Sequence, residues 1–117
     1  PEGEPEELNF HSSINEAIRA AKQSGRNVLV LFTGDTTRAG AVERTLASPA
    51  LSRQLQDFEL VRINYRDNRD LADKYAVSEY PYIVIINKFG YTEGHIVPTP
   101  DVDELRKKFS PYLQTYF

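Results

Sequence analysis

The sequence predicts an α/β domain in which a central mixed β-sheet is flanked by helices. Residues 28–32 are apolar at every position, and a strand without polar alternation is normally covered on both faces. A second strand follows at residues 60–65, after an intervening stretch with the apolar spacing of helices. The order strand, helix, strand is typical of a right-handed β-α-β unit with parallel strands.

Composition limits both the size of the fold and the class of partner. The 117 residues are enough for one domain, and the hydrophobic content of 40% supports a packed core. Acidic and basic residues are mixed and the net charge is −3, so we expect no nucleic acid partner. The longest apolar runs have about five residues, whereas a helix that crosses a bilayer needs ~20, so we expect no direct membrane insertion.

The first nine residues are predicted to form an acidic linker, and residues 10–117 to form the domain. Residues 1–7 contain four glutamates, two prolines and a glycine, and this composition is typical of a solvated segment. The chain starts with proline and contains neither methionine nor cysteine. We therefore expect a monomeric domain that is a piece of a longer protein.

An extra helix is predicted at the N-terminal side of the sheet. Ser13 and Glu16 have the spacing of a capping box, and apolar residues at helical spacing follow them. Gly25 is expected to end this helix, because glycine is common at helix C-caps.

The predicted turn at residues 34–40 leads into a second helix that is interrupted at Pro49. Proline cannot continue the hydrogen bonding of a helix interior, but it fits the first turn of a new helix capped by Ser48. The buried stripe of this new helix is expected to contain Leu51, Leu55 and Phe58.

The second half of the chain predicts a short helix and a β-hairpin. Asp67 or Asn68 is placed to cap the short helix. Residues 82–86 and 92–97 flank a turn at residues 87–90, as the two strands of a hairpin.

The last helix is predicted to begin at Thr99, with Pro100 in its first turn, and to end or kink at Pro111. Together these elements give a mixed four-stranded sheet, built from a β-α-β half and a β-β-α half. Helices are expected to flank both faces of this sheet.

This order of elements resembles the thioredoxin-like superfamily over about residues 12–109. The matching motifs are Val28-Leu-Val-Leu-Phe-Thr-Gly-Asp35, Val42-Glu-Arg-Thr-Leu46 and the segment at residues 71–86. The chain is most similar to the soluble domains of bacterial thiol:disulfide interchange proteins, in which Phe-Thr-Gly commonly precedes a cysteine pair. The resemblance implies a thioredoxin fold and an extracytoplasmic location, periplasmic or secreted.

The resemblance places Thr37 and Gly40 where the family keeps its two cysteines. Leu31 stands where the family has a buried acid, and Tyr80-Pro81 matches the family's cis-proline dipeptide. Thiol exchange requires a reactive thiolate and a second thiol that resolves the mixed disulfide. We therefore predict a domain that is redox-inactive, is not an enzyme and has no cofactor.

The predicted binding surface combines the altered loop with the residues at the proline. In the family, the residue before the cis proline offers its backbone to an extended peptide, and this mode does not require thiols. We therefore predict a module that binds a protein or an extended peptide within a larger protein. The surface consists of Thr36, Thr37, Arg38, Ala39, Gly40, Tyr80 and Pro81.

Alternatives to this interpretation stay open. Arg38 and the helix N–H groups could bind an anion, although Gly34 and Gly40 are more simply explained as residues that permit the turn. Tyr80-Pro81 could serve the fold alone. The alternative function is an enzyme with repurposed, non-dithiol chemistry at Thr37, which needs an acid or a base within hydrogen-bond reach.

The two histidines give no catalytic or metal motif. His11 and His95 are far apart in sequence, and neither has a partner at the spacing of a known triad. Without cysteine, a structural zinc site is not expected, so the sequence predicts no metal ligands.

Overall fold

The computed structural model describes residues 8–113. Most of the predicted linker at residues 1–9 lies outside this range, so that prediction stays untested. The strands are β1 (Phe10–His11), β2 (Asn27–Thr33), β3 (Phe58–Asn64), β4 (Tyr82–Ile86) and β5 (Thr92–Ile96). They form one sheet in the order β1-β3-β2-β4-β5.

The directions of the strands bring three strand ends together. β2 and β3 are parallel, whereas β2 and β4 are antiparallel. Thr33 lies opposite Asn64, and Phe32 lies opposite Tyr82. The ends of β2 and β3 therefore meet the beginning of β4. We call this end, where β2 and β3 finish, the carboxyl end of the sheet.

The sheet has five strands rather than the predicted four. The additional strand, β1, lies at the edge and pairs with β3 in parallel, with Phe10 opposite Leu60 and His11 opposite Val61. A strand of two residues is too short to produce an alternating pattern, so the sequence carries no signal for it.

Within residues 8–113, five α-helices surround the sheet: α1 (Ile14–Ser24), α2 (Thr37–Leu46), α3 (Pro49–Leu55), α4 (Arg69–Lys74) and α5 (Val102–Phe109). One-turn 3-10 helices precede α4 at Arg66–Asn68 and follow α5 at Ser110–Tyr112. Among the described residues, no helix is long and apolar enough to span a bilayer.

The caps of α1 follow the prediction in part. The Ser13 hydroxyl accepts a hydrogen bond from the Glu16 backbone N–H at 3.1 Å, and Gly25 ends the helix with φ of +78°. In a complete capping box the Glu16 carboxylate would accept a hydrogen bond from the Ser13 backbone N–H, and it does not do so here. It accepts a hydrogen bond from Ser12 and lies 3.1 Å from His11 instead.

Several predicted boundaries are wrong. The predicted turn at residues 34–40 is shorter, because α2 already begins at Thr37, with Thr36 as its N-cap. Phe58 begins β3 instead of extending the stripe of α3, because it pairs with Asn27 of the neighbouring strand. α5 begins at Val102 rather than Thr99. Its N-cap is Asp101, whose carboxylate accepts a hydrogen bond from the Glu104 N–H at 3.0 Å, so the helix starts after the proline.

Two hydrophobic clusters cover the two faces of the sheet. Val28, Val30 and Phe32 of β2 face the cluster that includes α1 and α4 residues. Leu29 and Leu31 face the cluster that includes residues of α2, α3 and α5. The prediction that the apolar strand is buried on both faces is confirmed, and its alternate side chains belong to different layers.

A β-bulge interrupts the hairpin at the outer edge. Ile85 lies opposite Gly94 while Ile86 lies opposite Thr92, so Glu93 is the extra residue on β5. Its carboxylate accepts a hydrogen bond from the Asn87 side-chain amide at 2.9 Å. The bulge changes the register of β5 at its first residues, just after the turn.

Candidate functional site

The two halves of the predicted surface lie at the carboxyl end of the sheet. The loop that contains Thr36 follows β2, and Tyr80-Pro81 directly precedes β4. Because β2 and β4 are neighbours, the two segments are adjacent. The peptide bond between Tyr80 and Pro81 is cis.

A close approach joins the Tyr80 ring to Gly34, at the start of the loop. A Cβ atom on Gly34 would lie 2.8 Å from Cδ2 and 2.9 Å from Cζ of the Tyr80 ring, and closer still to Cε2. The ring therefore lies directly on the backbone of Gly34. At this position only a hydrogen atom fits.

Gly34 and Gly40 were expected to permit the turn of the loop, but neither has the backbone conformation that would require glycine for a turn. Positive φ angles among the glycines occur at Gly25 and Gly90, and not at Gly34 or Gly40. Gly34 is required by the close approach of an aromatic ring rather than by the turn. Gly40 lies inside α2, where an added Cβ would meet only the Arg44 guanidinium at 3.5 Å.

An aromatic stack extends from this contact. The ring centroids of Tyr80 and Tyr65 are 5.1 Å apart, with an interplanar angle of 35°. The Arg69 guanidinium carbon lies 5.0 Å from the centroid of Tyr65. We call Tyr80, Tyr65 and Arg69 the Tyr80 stack. It fixes the tyrosine ring at the junction of the loop and the cis proline.

Sequence reasoning did not identify Tyr65 and Arg69 as neighbours of this surface. Tyr65 immediately follows β3, whose carboxyl end meets that of the parallel strand β2. In the predicted β-α-β unit both parallel strands end at the same side of the sheet, so the sequence could have placed Tyr65 near the loop. For Arg69, at the start of α4, the sequence offered no comparable signal.

Thr36 and Ala39 have structural roles in the loop. Thr36 is the N-cap of α2, and its hydroxyl accepts a hydrogen bond from the Ala39 N–H at 3.1 Å. The Ala39 side chain is fully buried. These two residues shape the surface more than they present chemical groups to a ligand.

Replacing Thr36 with alanine should lower the free energy of unfolding by about 1 kcal/mol, because the first turn of α2 loses its cap. Urea denaturation of the purified protein measures this change. Thr36→Ser keeps the capping oxygen and should retain most of the stability. An equal loss in both variants would contradict a capping role for the hydroxyl.

Thr37 and Arg38 are exposed at the first turn of α2. Among residues 8–113, Arg38 makes no ion pair, while the neighbouring Asp35 carboxylate lies 3.8 Å from the Arg66 guanidinium. The hydroxyl of Thr37 forms no hydrogen bond with an acidic or basic side chain of the described range. Thr37 therefore lacks the partner that would activate it as a nucleophile.

A partly buried polar contact orients α2 on the sheet. The Thr33 hydroxyl, at the end of β2, donates a hydrogen bond to Glu43 of α2 at 3.3 Å. The other carboxylate oxygen of Glu43 lies 3.1 Å from Nε of Arg62 on β3. Leu31, where the family resemblance implied an acid, is buried in the core. The acid of this region is Glu43, and it is already paired.

The backbone of Tyr80 is unpaired in the part of the chain that the structure describes. Within residues 8–113, neither its N–H nor its C=O forms a hydrogen bond with another backbone group. Tyr80 is partly exposed, whereas Pro81 is buried. An unpaired N–H and C=O beside a sheet are the groups that an added strand uses.

A shallow depression of about 650 Å³ adjoins the Tyr80 stack and is lined by Arg66, Asp67, Asn68, Arg69, Asp70, Leu71 and Lys74. Its charges are mixed, as expected for a solvated helix face. The described part of the chain contains no group of three or more His, Cys, Asp or Glu side chains that could hold a metal ion.

Comparisons with known proteins link this architecture to solved structures. No protein-family model and no curated protein matches the sequence. The structure superposes on DsbH oxidoreductase with a TM-score of 0.74 and 18% identity, over 92% of this chain and 85% of that one. The structure also superposes on a thioredoxin from Nicotiana alata with a TM-score of 0.72 and 21% identity, over 97% of this chain and 99% of that one.

A thioredoxin from Thermus thermophilus is also similar, with a TM-score of 0.71 and 22% identity over 89% of this chain and 87% of that one. These similarities cover almost the whole chain, and they show the fold, not the activity. This chain has no cysteine and therefore lacks the group on which thiol–disulfide exchange depends. The protein is a cysteine-free α/β domain with the thioredoxin-like fold.

Proposed function

We propose that this domain binds an extended segment of a protein or peptide at the carboxyl end of its sheet, as an interaction module of a larger protein. The surface is the predicted one, Thr36, Thr37, Arg38, Ala39, Gly40, Tyr80 and Pro81, enlarged by Tyr65 and Arg69 of the Tyr80 stack. The setting of the larger protein is proposed to be extracytoplasmic, as the family resemblance implies.

The unpaired backbone of Tyr80 is the observation that carries this proposal. A peptide that aligns with residues 79–81 would supply the missing donor and acceptor in β-like pairing. The ring of Tyr80 is already held by Gly34 and Tyr65, so binding would cost little side-chain entropy. A rigid aromatic anchor beside a free backbone is favourable for peptide recognition.

The exposed cation Arg38 adds a polar contact at the rim of this surface. It has no ion-pair partner in the described range, and it lies at the first turn of α2, where helix N–H groups also favour negative charge. Peptides with an acidic residue near the centre should therefore bind more tightly than neutral ones.

A repurposed enzyme has less support from the same residues. The Thr36 hydroxyl is used as a helix cap, and Thr37 lacks a base within the described residues. Most catalytic sites are enclosed pockets that exclude water, whereas Thr36, Thr37 and Arg38 are exposed.

A peptide-array screen followed by affinity measurements on single peptides tests the proposal. Tyr80→Ala should weaken the best ligand about tenfold, because the aromatic anchor is lost. Arg38→Ala should weaken acidic ligands and leave neutral ligands nearly unchanged. Lys107→Ala, an exposed cation of α5, is the matched control and should have no effect.

N-methylation of the ligand distinguishes backbone pairing from side-chain contact. A methyl group on one central amide removes a donor, so it should abolish binding if the peptide pairs with Tyr80. The same modification near a peptide terminus should be tolerated. Ligands whose affinity is unchanged in Tyr80→Ala, in Arg38→Ala and after central methylation would show that this surface is not the binding site.

A further inference from the structure

A histidine lies between two carboxylates at the end of the sheet opposite the candidate site. Nδ1 of His11 is 3.1 Å from Oε1 of Glu16, and Nε2 is 2.9 Å from Oε1 of Glu59. Ionised carboxylates only accept hydrogen bonds, and neutral imidazole has one N–H. Both contacts are therefore satisfied only when the imidazole carries two protons. We call His11, Glu16 and Glu59 the His11 cluster.

The other oxygen of each carboxylate is also occupied. Ser12 donates to Glu16 at 2.9 Å, and Ser24 donates to Glu59 at 2.8 Å. The Arg26 guanidinium lies 3.8 Å from Glu59. With His11 protonated, the two carboxylates face two cations. With His11 neutral, one negative charge is left without a counter-charge and one carboxylate faces a ring lone pair.

The cluster joins three elements at the edge of the sheet where the strand pairing is shortest. His11 belongs to β1, Glu16 to α1 and Glu59 to β3. β1 pairs with β3 over two residues only, so backbone hydrogen bonds contribute little to its attachment. Phe10 is a second side-chain attachment of β1, because its ring lies 4.4 Å from the Arg62 guanidinium carbon and packs against the hydrophobic cluster that includes Phe58 and Leu60 of β3.

Solvent reaches the cluster through a cavity of about 270 Å³, whose lining includes Asn9, His11, Arg26, Gln56 and Glu59. The His11 side chain is 25% exposed. Protons can therefore exchange with the ring without unfolding of the domain.

The charges around the ring also change its titration. The hydrogen bond with Glu59 raises the pKa of His11 above its ordinary value of 6.5; burial opposes this, and Glu16 adds to it. For Glu59, burial acts to raise the pKa, but the hydrogen bonds from His11 and Ser24, together with the charges of His11 and Arg26, lower the pKa below 4.5. The hydrogen bonds from His11 and Ser12 also lower the pKa of Glu16.

The direction of these shifts defines a pH range. A raised histidine pKa gives stability that is complete below pH 6.5 and is lost as the pH rises through the folded value. The lowered pKa of Glu59 gives stability that is present above pH 4.5 and is lost as the pH falls through its folded value. The cluster is therefore strongest between these limits and weakens on either side.

We propose that the His11 cluster is a pH-sensitive attachment that holds β1 on β3, and that deprotonation of His11 releases β1 from the edge of the sheet. Release would expose the outer backbone groups of β3, next to the point where the chain enters the domain. This inference concerns the opposite end of the sheet and does not depend on peptide binding at the carboxyl end.

Amide hydrogen exchange measured by NMR tests the proposal on the intact chain. The amides that pair β1 with β3 should lose protection by roughly fivefold to tenfold between about pH 5.5 and about pH 8, after correction for intrinsic exchange. The amides that pair β2 with β4 are the internal reference and should keep their protection. The imidazole ¹⁵N shifts of His11 should show a doubly protonated ring at the lower pH.

Two histidine variants separate the cluster from general effects of pH. His11→Gln should abolish the pH dependence of β1 protection. His95→Gln is the matched control and should preserve it, because His95 lies on β5 against Tyr82, with 5.7 Å between the ring centroids. If His11→Gln does not fold, Glu16→Gln removes one carboxylate from a side chain that is 46% exposed, and it should reduce the pH dependence.

The proposal is overturned if β1 protection is independent of pH, or if its pH dependence persists unchanged in His11→Gln or, where that variant does not fold, in Glu16→Gln. A neutral His11 ring at the lower pH would also overturn it.

Discussion

We expect Phe109→Ala to lower the free energy of unfolding by about 3–5 kcal/mol, which is the typical cost of truncating a buried phenylalanine. Phe109 is fully buried at the end of α5. Its ring packs edge-on against Phe58 of β3, with 6.1 Å between the centroids. Alanine would leave a cavity between the last helix and the sheet. Small domains are stable by about 5–15 kcal/mol, so this loss is large.

Chemical denaturation followed by far-UV circular dichroism measures the effect. Phe89→Ala is the control, because Phe89 is 66% exposed at the hairpin turn, and its replacement should change stability by less than about 0.5 kcal/mol. Similar losses in both variants would show that α5 does not contribute to the core as described. If Phe109→Ala is too unstable to purify, Phe109→Leu should show a smaller loss of the same kind.

Gly34→Ala should destabilise the protein by about 1–3 kcal/mol, since an added methyl group must displace a ring that cannot move freely. The Tyr80 ring is confined between Gly34 and Tyr65, with the two tyrosine centroids 5.1 Å apart. Gly40→Ala makes the same chemical change where the Cβ has room and the residue lies inside a helix. It should stabilise the protein by about 0.5–1 kcal/mol.

A double-mutant cycle identifies the cause of the Gly34 effect. In a Tyr80→Ala background the ring is absent, so Gly34→Ala should cost little, with a coupling energy of about 0.5–3 kcal/mol. Thermal and urea unfolding of the four proteins give the cycle. An equal cost in both backgrounds would indicate that the backbone of Gly34, and not contact with Tyr80, requires glycine.

Much of the fold was predictable because burial leaves a clear pattern in long elements. The apolar residues of β2, the Ser13 and Gly25 caps of α1 and the break at Pro49 were all visible in the sequence and are confirmed. β1 was missed because two residues carry no periodicity. Phe58 was misplaced because a buried apolar residue fits a helical stripe and a strand equally well, and only the pairing with Asn27 decides between them.

The candidate site was predictable in outline and not in its contacts. The position of the loop after β2 and of Tyr80-Pro81 before β4 follows from the order of elements. The packing of Tyr80 on Gly34 depends on a rotamer and on the approach of two backbones, which a sequence does not encode locally. The His11 cluster was missed for a related reason, because Glu59 is 48 residues from His11 and only the sheet register brings them together.

The two margins of the sheet also make aggregation through strand addition unfavourable. At one margin, β1 is too short to act as a template for another chain. At the other margin, the extra residue Glu93 breaks the regular spacing of β5 and adds a charge. While β1 is attached, a foreign strand therefore meets no long, straight row of free amides, and the apolar central strand stays protected from fibril-like growth. Release of β1 would remove this protection at the β3 margin.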